Sequence, residues 1–285
     1  MIEEKLVLPN GLTLNYYTAG QGSEVIVLLH GAGADSATMS WVEILPLLAA
    51  KGFRVIAPDL PGYGGSDRIS GDYSLPFYSS TMAAFIQALD CGPVILAGLS
   101  LGGGTALHIA LEHEQLLKAM ILVDAWGLFD KLPWHRNMHW FFNFRFNQNL
   151  YGWAGKYRWI IRWSLTSSLI GDKSKVTDEL VDAVMNAVQQ PGAGEIFSSF
   201  LSSEINSTGV VTNLFDRLQE IHLPTLIVHG EKDWSIPLSG AIEAQKRIAG
   251  SELYIMKGCK HWPQKERPQE FTEVLLWFLQ AKCFM

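Results

Sequence analysis

The chain has 285 residues, 48% of them hydrophobic and 18% charged, with a formal charge of −6. That length holds one large α/β domain or a core with an inserted subdomain, and the acidic balance excludes the basic face that a nucleic-acid partner requires. Cys91, Cys259 and Cys283 are odd in number and lack metal-ligand spacing, so neither a zinc site nor a disulfide framework is expected.

The first residues carry Glu3 and Glu4 where a secretory leader would carry basic residues, which predicts a cytoplasmic protein. No run approaches the ~18 apolar residues of a membrane span. Glu4 to Tyr17 alternates apolar and polar residues around Asn10-Gly11, a hairpin signal that puts two antiparallel strands at one sheet edge. Short, continuous apolar runs follow at Val25 to Leu29, Arg54 to Pro58, Val94 to Ala97, Met120 to Val123, Thr225 to Val228 and Leu253 to Met256. Helical patterns separate most of them, so they read as buried strands of a parallel sheet with right-handed crossovers. Between Val123 and Thr225 the alternation breaks for about a hundred residues, where a crossover needs on the order of a dozen. This predicts a core of residues 1–126 and 218–285 with a helical cap inserted over 127–217. Within the cap, Thr177-Asp178-Glu179 opens a helix that Gln190-Pro191-Gly192 closes.

Gly98-Leu99-Ser100-Leu101-Gly102 follows one of these strands and precedes a helical segment from Gly103 to Glu114, the strand-turn-helix setting of a nucleophile elbow. A serine hydroxyl needs a base within hydrogen-bond reach, and the base needs an orienting acid. His261 and Asp233 lie just beyond the last two predicted strands, where loops at the carboxyl ends of parallel strands converge. Asp124 and Glu231 are the competing acids. The order Ser100, Asp233, His261 favours Asp233. Oxyanion donors are expected from the backbone N–H of Leu101 and, in the small-residue loop His30-Gly31-Ala32-Gly33, from Ala32. His30 is read as holding that loop, and Asp59 to Ser66 as tight structural turns.

His30-Gly31, Asp59-x-Pro61-Gly62-x-Gly64-x-Ser66, Gly98-x-Ser100-x-Gly102, Gly230-x-x-Asp233 and Gly258-x-x-His261 together resemble the α/β-hydrolase superfamily across essentially the whole chain. The resemblance implies a mostly parallel, eight-stranded sheet with helices on both faces and a lid inserted after the sixth strand. Related dehalogenases and epoxide hydrolases carry aspartate at the elbow, so Ser100 points to acyl transfer. Cys259 to Phe271 and Thr177 to Val188 resemble, more closely, carbon–carbon hydrolases of meta-ring-fission products. Those enzymes typically have asparagine before the nucleophile and an arginine in the lid, where this chain has Leu99 and Val184. The expectation is therefore a carboxylesterase with an acyl-enzyme intermediate, with the carbon–carbon hydrolase, and a slow or non-catalytic ligand-binding protein, as alternatives. No metal or organic cofactor is implied, and the partner is a small-molecule ester.

The first half of the cap is rich in aromatic residues, from Trp126, Phe129 and Trp134 through Trp140 to Phe146 and on to Tyr151, Trp153, Tyr157, Trp159 and Trp163, with Lys156, Arg158 and Arg162 among its charges. The plainer reading is lid-core packing with arginines at its surface. The sharper one is an apolar acyl pocket with peripheral attraction to lipid. Leu99, Trp126 and Trp262 are the expected pocket residues.

Overall fold

The computed structural model describes residues 1–131, 135–136 and 151–284. Eight strands form one sheet: β1 Ile2–Val7, β2 Thr13–Ala19, β3 Val25–Leu29, β4 Arg54–Pro58, β5 Val94–Leu99, β6 Leu117–Val123, β7 Thr225–Gly230 and β8 Glu252–Met256. Their order is β1-β2-β4-β3-β5-β6-β7-β8. β1 and β2 are antiparallel and β2 runs antiparallel to β4, whereas β4, β3, β5, β6, β7 and β8 pair in parallel. The opening hairpin pairs Val7 with Thr13. Its loop is therefore longer than the two-residue turn that Asn10-Gly11 suggests, and is closed by the Leu8 N–H on the Leu12 carbonyl at 2.8 Å.

The parallel strands are continuous apolar runs because both faces are covered. All residues of β3 and β5 are buried. On one face lie α1 Ala37–Trp41, α2 Ile44–Ala49 and α9 Pro268–Lys282. On the other lie α3 Leu75–Ala88, α4 Leu101–Glu112 and α8 Leu238–Arg247. Side chains alternate between the faces, so Val27 and Leu29 enter one core while Ile26 and Leu28 enter the other.

β6 and β7 are neighbours in the sheet although the segment between them carries α5 Arg158–Ser164, α6 Asp178–Val188 and α7 Ala193–Glu204. α6 starts where the sequence predicts: Thr177 caps it by accepting the Leu180 N–H at 3.2 Å, and Asp178 and Glu179 lie in its first turn. Its Leu180, Val181, Val184 and Val188 are buried. Arg158 pairs with Asp178 and Asp182, and Arg162 with Asp178, so two cations of the inserted segment are neutralised within it. The aromatic residues divide. Trp126 and Phe129 are buried, whereas Trp159 and Trp163 are 69% and 65% exposed; Trp134 and Trp140 to Phe146 lie outside the described residues. No described helix is long and apolar enough to cross a membrane.

The root of the inserted segment is tied down by one buried carboxylate. Glu204, at the end of α7, accepts the Leu75 N–H that opens α3 and the Thr212 hydroxyl, each at 3.0 Å, and the Trp126 indole N–H at 3.3 Å. Burial raises its pKa above the ordinary glutamate value.

Candidate active site

Ser100 stands between β5 and α4 with φ 52° and ψ −113°, a left-handed conformation that a non-glycine residue seldom adopts. The turn is locked from both sides: the Ser100 N–H donates to the Val123 carbonyl at 2.9 Å, and the Ser100 carbonyl accepts from Gly104 and Trp126 at 2.9 Å. Close approach explains the flanking glycines. A Cβ on Gly98 would sit 2.1 Å from the Gly102 carbonyl oxygen, and one on Gly102 would sit 2.5 Å from that of Leu29. Leu101 is the first residue of α4, so its N–H is among the helix's opening amides, which lack an intrahelical acceptor.

The second expected donor lies in the loop after β3. The Ala32 N–H has no hydrogen-bond partner among the described residues. A Cβ on Gly31 would fall 3.5 Å from Ser100 Cβ, so this loop runs against the serine. His30 holds it as expected: Nδ1 lies 2.7 Å from the Gly31 carbonyl and Nε2 accepts the Leu60 N–H at 2.9 Å. The sequence reading missed Asp35. This buried carboxylate accepts the Gly31 N–H at 2.8 Å, the Ser36 N–H at 2.8 Å and the Ser40 hydroxyl. Asp59 does the same service behind the loop, accepting from Ala37, Asn15 and Gly65.

Asp233 and His261 come together. His261 Nδ1 lies 2.6 Å from Asp233 Oδ2, while the other oxygen accepts the Ser235 and Ile236 N–H groups at 2.7 and 3.2 Å. Burial alone would raise the Asp233 pKa, but the His261 charge and hydrogen bond outweigh it and hold the carboxyl below its ordinary value. The imidazole is thereby oriented with Nε2 free for a proton. Ser100, Asp233 and His261 follow β5, β7 and β8 and so share the carboxyl edge of the sheet, and no hydrogen bond joins Ser100 to His261 in this structure. The His261 loop is itself pinned by buried Glu266, which accepts the Lys260 N–H at 2.7 Å and the Asp172 N–H at 2.9 Å.

The three expected pocket residues are all buried. Leu99 is fully buried on one face of the sheet, Trp262 packs in the same cluster, and Trp126 packs edge-on against Phe129 and Phe200 with ring centroids 5.0 and 5.3 Å away. Large apolar side chains next to the motif residues serve the cores that rigidify it. Val184 likewise is buried, in the same cluster as Leu99 and Trp262. A cavity of about 850 Å³ opens between the loops after β3 and β4 and helix α6, lined by Gly33, Tyr63, Arg68, Lys175, Asn186 and Lys265 among others. None of the three pocket residues lines it, nor do Ser100, Asp233 or His261. Gly33, one residue beyond the oxyanion-loop candidate Ala32, is part of its lining.

The sequence profile of the family described as "alpha/beta hydrolase fold" matches residues 24–268. The chain is 27% identical to a 2-hydroxy-6-oxo-6-(2'-aminophenyl)hexa-2,4-dienoic acid hydrolase of Metapseudomonas resinovorans, over 98% of this chain and 92% of that protein. It is 30% identical to a 2-hydroxy-6-oxononadienedioate/2-hydroxy-6-oxononatrienedioate hydrolase of Escherichia coli O139:H28, over 94% and 91%. A solved meta-cleavage product hydrolase from Pseudomonas fluorescens IP01 superposes with a TM-score of 0.81 at 27% identity, covering 98% of this chain and 97% of that one. With its eight-stranded sheet and the ordered elbow, acid and histidine loops, the chain belongs to the α/β-hydrolase family.

Proposed function

We propose that this hydrolase cleaves the carbon–carbon bond beside a ketone in meta-ring-fission-type products, using Ser100 as nucleophile, His261 as base and Asp233 as orienting acid. The observation that carries this reading is the near full-length similarity to hydrolases of that substrate class, together with the 2.6 Å acid–histidine pair at the elbow's edge. Ser100 Oγ attacks the ketone carbon as His261 Nε2 takes its proton, and the N–H groups of Ala32 and Leu101 receive the developing oxyanion. Carbon is a poor leaving group unless its electrons are delocalised, so the substrate is a vinylogous 1,5-diketone whose departing fragment leaves as a stabilised enolate and takes the proton back from His261. Water activated by the same histidine then hydrolyses the acyl-enzyme.

The reading reverses the preference for an ester that Leu99 and Val184 suggested. Val184 is buried in the cluster that joins the inserted helices to one face of the sheet, so its apolar character reports packing there. Leu99 still favours the ester as a second reading, because it puts an apolar side chain beneath Gly31.

The test is a parallel assay of a vinylogous diketone and p-nitrophenyl esters of graded chain length, with wild type and Ser100→Ala. Faster diketone cleavage, lost by at least about 10⁴-fold in Ser100→Ala, is expected. Ester turnover that vanishes with Ser100 while the diketone is left intact would move the protein to the esterase reading.

A further inference from the structure

Behind the acid of the triad lies a second buried carboxyl that the mechanism above does not use. Asp124 directly follows β6 with φ 41°, a strained conformation that turns its fully buried side chain toward the end of β7. Its Oδ1 accepts the Gly230 N–H at 3.0 Å, and its Oδ2 has no hydrogen-bond donor. The remaining polar neighbours are Asp233 and His229, with one side-chain oxygen or nitrogen from each of the three residues within 4.8 Å of the others.

His229 does not supply the missing donor. Its Nε2 lies 3.2 Å from the Ile236 carbonyl, which can only accept, so Nε2 carries the N–H. Burial holds the ring neutral, with a pKa pushed down to about 4. Nδ1, 3.2 Å from Asp124 Oδ1, is then a lone pair. An Asp124 carboxylate would therefore face an ionised Asp233 and a lone pair with a single amide for compensation, in a site closed to water.

We propose that Asp124 is held as a neutral carboxylic acid that donates its proton from Oδ2 to the Asp233 carboxylate, acting as a positioning residue for the triad. The proposal rests on Asp233 being the triad acid. Burial first, then the Asp233 charge, drives the Asp124 carboxyl far above the ordinary carboxylate range, while Asp233 stays below it. The one proton of the pair thus has a fixed owner. With that proton Asp233 has four donors, adding Asp124 to His261 and the two backbone amides. That leaves it little tendency to take the proton His261 carries during turnover. The other titratable groups facing Asp124 are Glu266 and Cys259, both fixed on the His261 side.

The sign of a charge change tests this. Asp124→Asn keeps a donor and, if the acid is neutral, changes no charge. The pH dependence of Ser100 labelling by a fluorophosphonate should then keep its acid limb in place and its rate within about threefold of wild type. Asp124→Leu removes the donor and should label about 30-fold more slowly. Infrared spectra at neutral pH should show a carboxylic-acid C=O band in wild type that is lost in Asp124→Asn and retained in Glu204→Gln. Asp124→Ser gives the same spectral answer should the asparagine variant not fold. Were Asp124 ionised, Asp124→Asn would delete a negative charge near His261 and move the acid limb down by roughly one pH unit, with no such band lost; either result overturns the proposal. The infrared result does not depend on catalysis. Wild-type protein that fails to label at Ser100 refutes the triad reading, and with it the positioning role.

Discussion

The sheet and the segment inserted between β6 and β7 are built by different rules. In the sheet, the groups assigned to catalysis follow the carboxyl ends of strands, and hydrogen bonds pin the backbone beside them: Asp35 under Gly31, Val123 behind Ser100, Glu266 behind His261. The inserted segment contributes none of the triad. Its described polar contacts are largely exposed pairs such as Arg158 with Asp178, and three of its tryptophans, Trp153, Trp159 and Trp163, face solvent. Preorganisation belongs to the core, and the insertion is free to vary in what it admits.

This contrast can be broken or sharpened by substitution. The largest effect should come from Asp233→Asn, which keeps the shape but removes the charge that orients His261. A loss of about 10³ to 10⁴-fold in turnover is expected, with Asp124→Asn nearly silent in the same assay. Next comes Gly98→Ala, whose methyl would collide with the Gly102 carbonyl. Urea denaturation should show a loss of about 3 kcal/mol or more, or no folded protein at all.

A smaller effect is the acid sensitivity of the core. The folded pKa of His229, about 4, lies below its ordinary 6.5, so between those values the folded state binds fewer protons than the unfolded one. Stability should therefore be intact above pH 6.5 and lost as pH falls toward 4, by up to about 3 kcal/mol from this residue. Denaturation midpoints of wild type and His229→Asn at pH 7 and pH 4.5 measure it: the variant should lose less. The smallest belongs to the insertion. Arg158→Ala breaks an exposed pair and should move the melting temperature by no more than about 2 °C. A large drop there would mean that the two regions are not built as differently as the hydrogen bonds suggest.

The core was legible because a buried parallel strand is a continuous apolar run; β3 and β4 have the bounds read from the sequence. Elbow, acid and histidine were legible because their chemistry recurs at strand ends in a fixed order. Asp35, Glu204 and Glu266, and the role of His229, were not, because a buried polar group is defined by partners distant in sequence. Glu204 meets Leu75 across 129 positions and Asp124 meets Gly230 across 106, and no local pattern marks either end. For the pocket residues, hydrophobicity near a motif does not tell a wall from a filling: Leu99, Trp126 and Trp262 are buried in the two clusters, and none lines the 850 Å³ cavity.

Glu204 also bears on how such a protein could be redesigned by exchanging modules. Because one carboxylate clasps the start of α3, Thr212 and the Trp126 indole, the insertion is not an appendage that can be cut at its ends and replaced. A chimaera carrying a foreign insertion onto this sheet would have to import the acid in register with the indole, or leave two donors, the Leu75 N–H and the Trp126 indole, stranded at the seam.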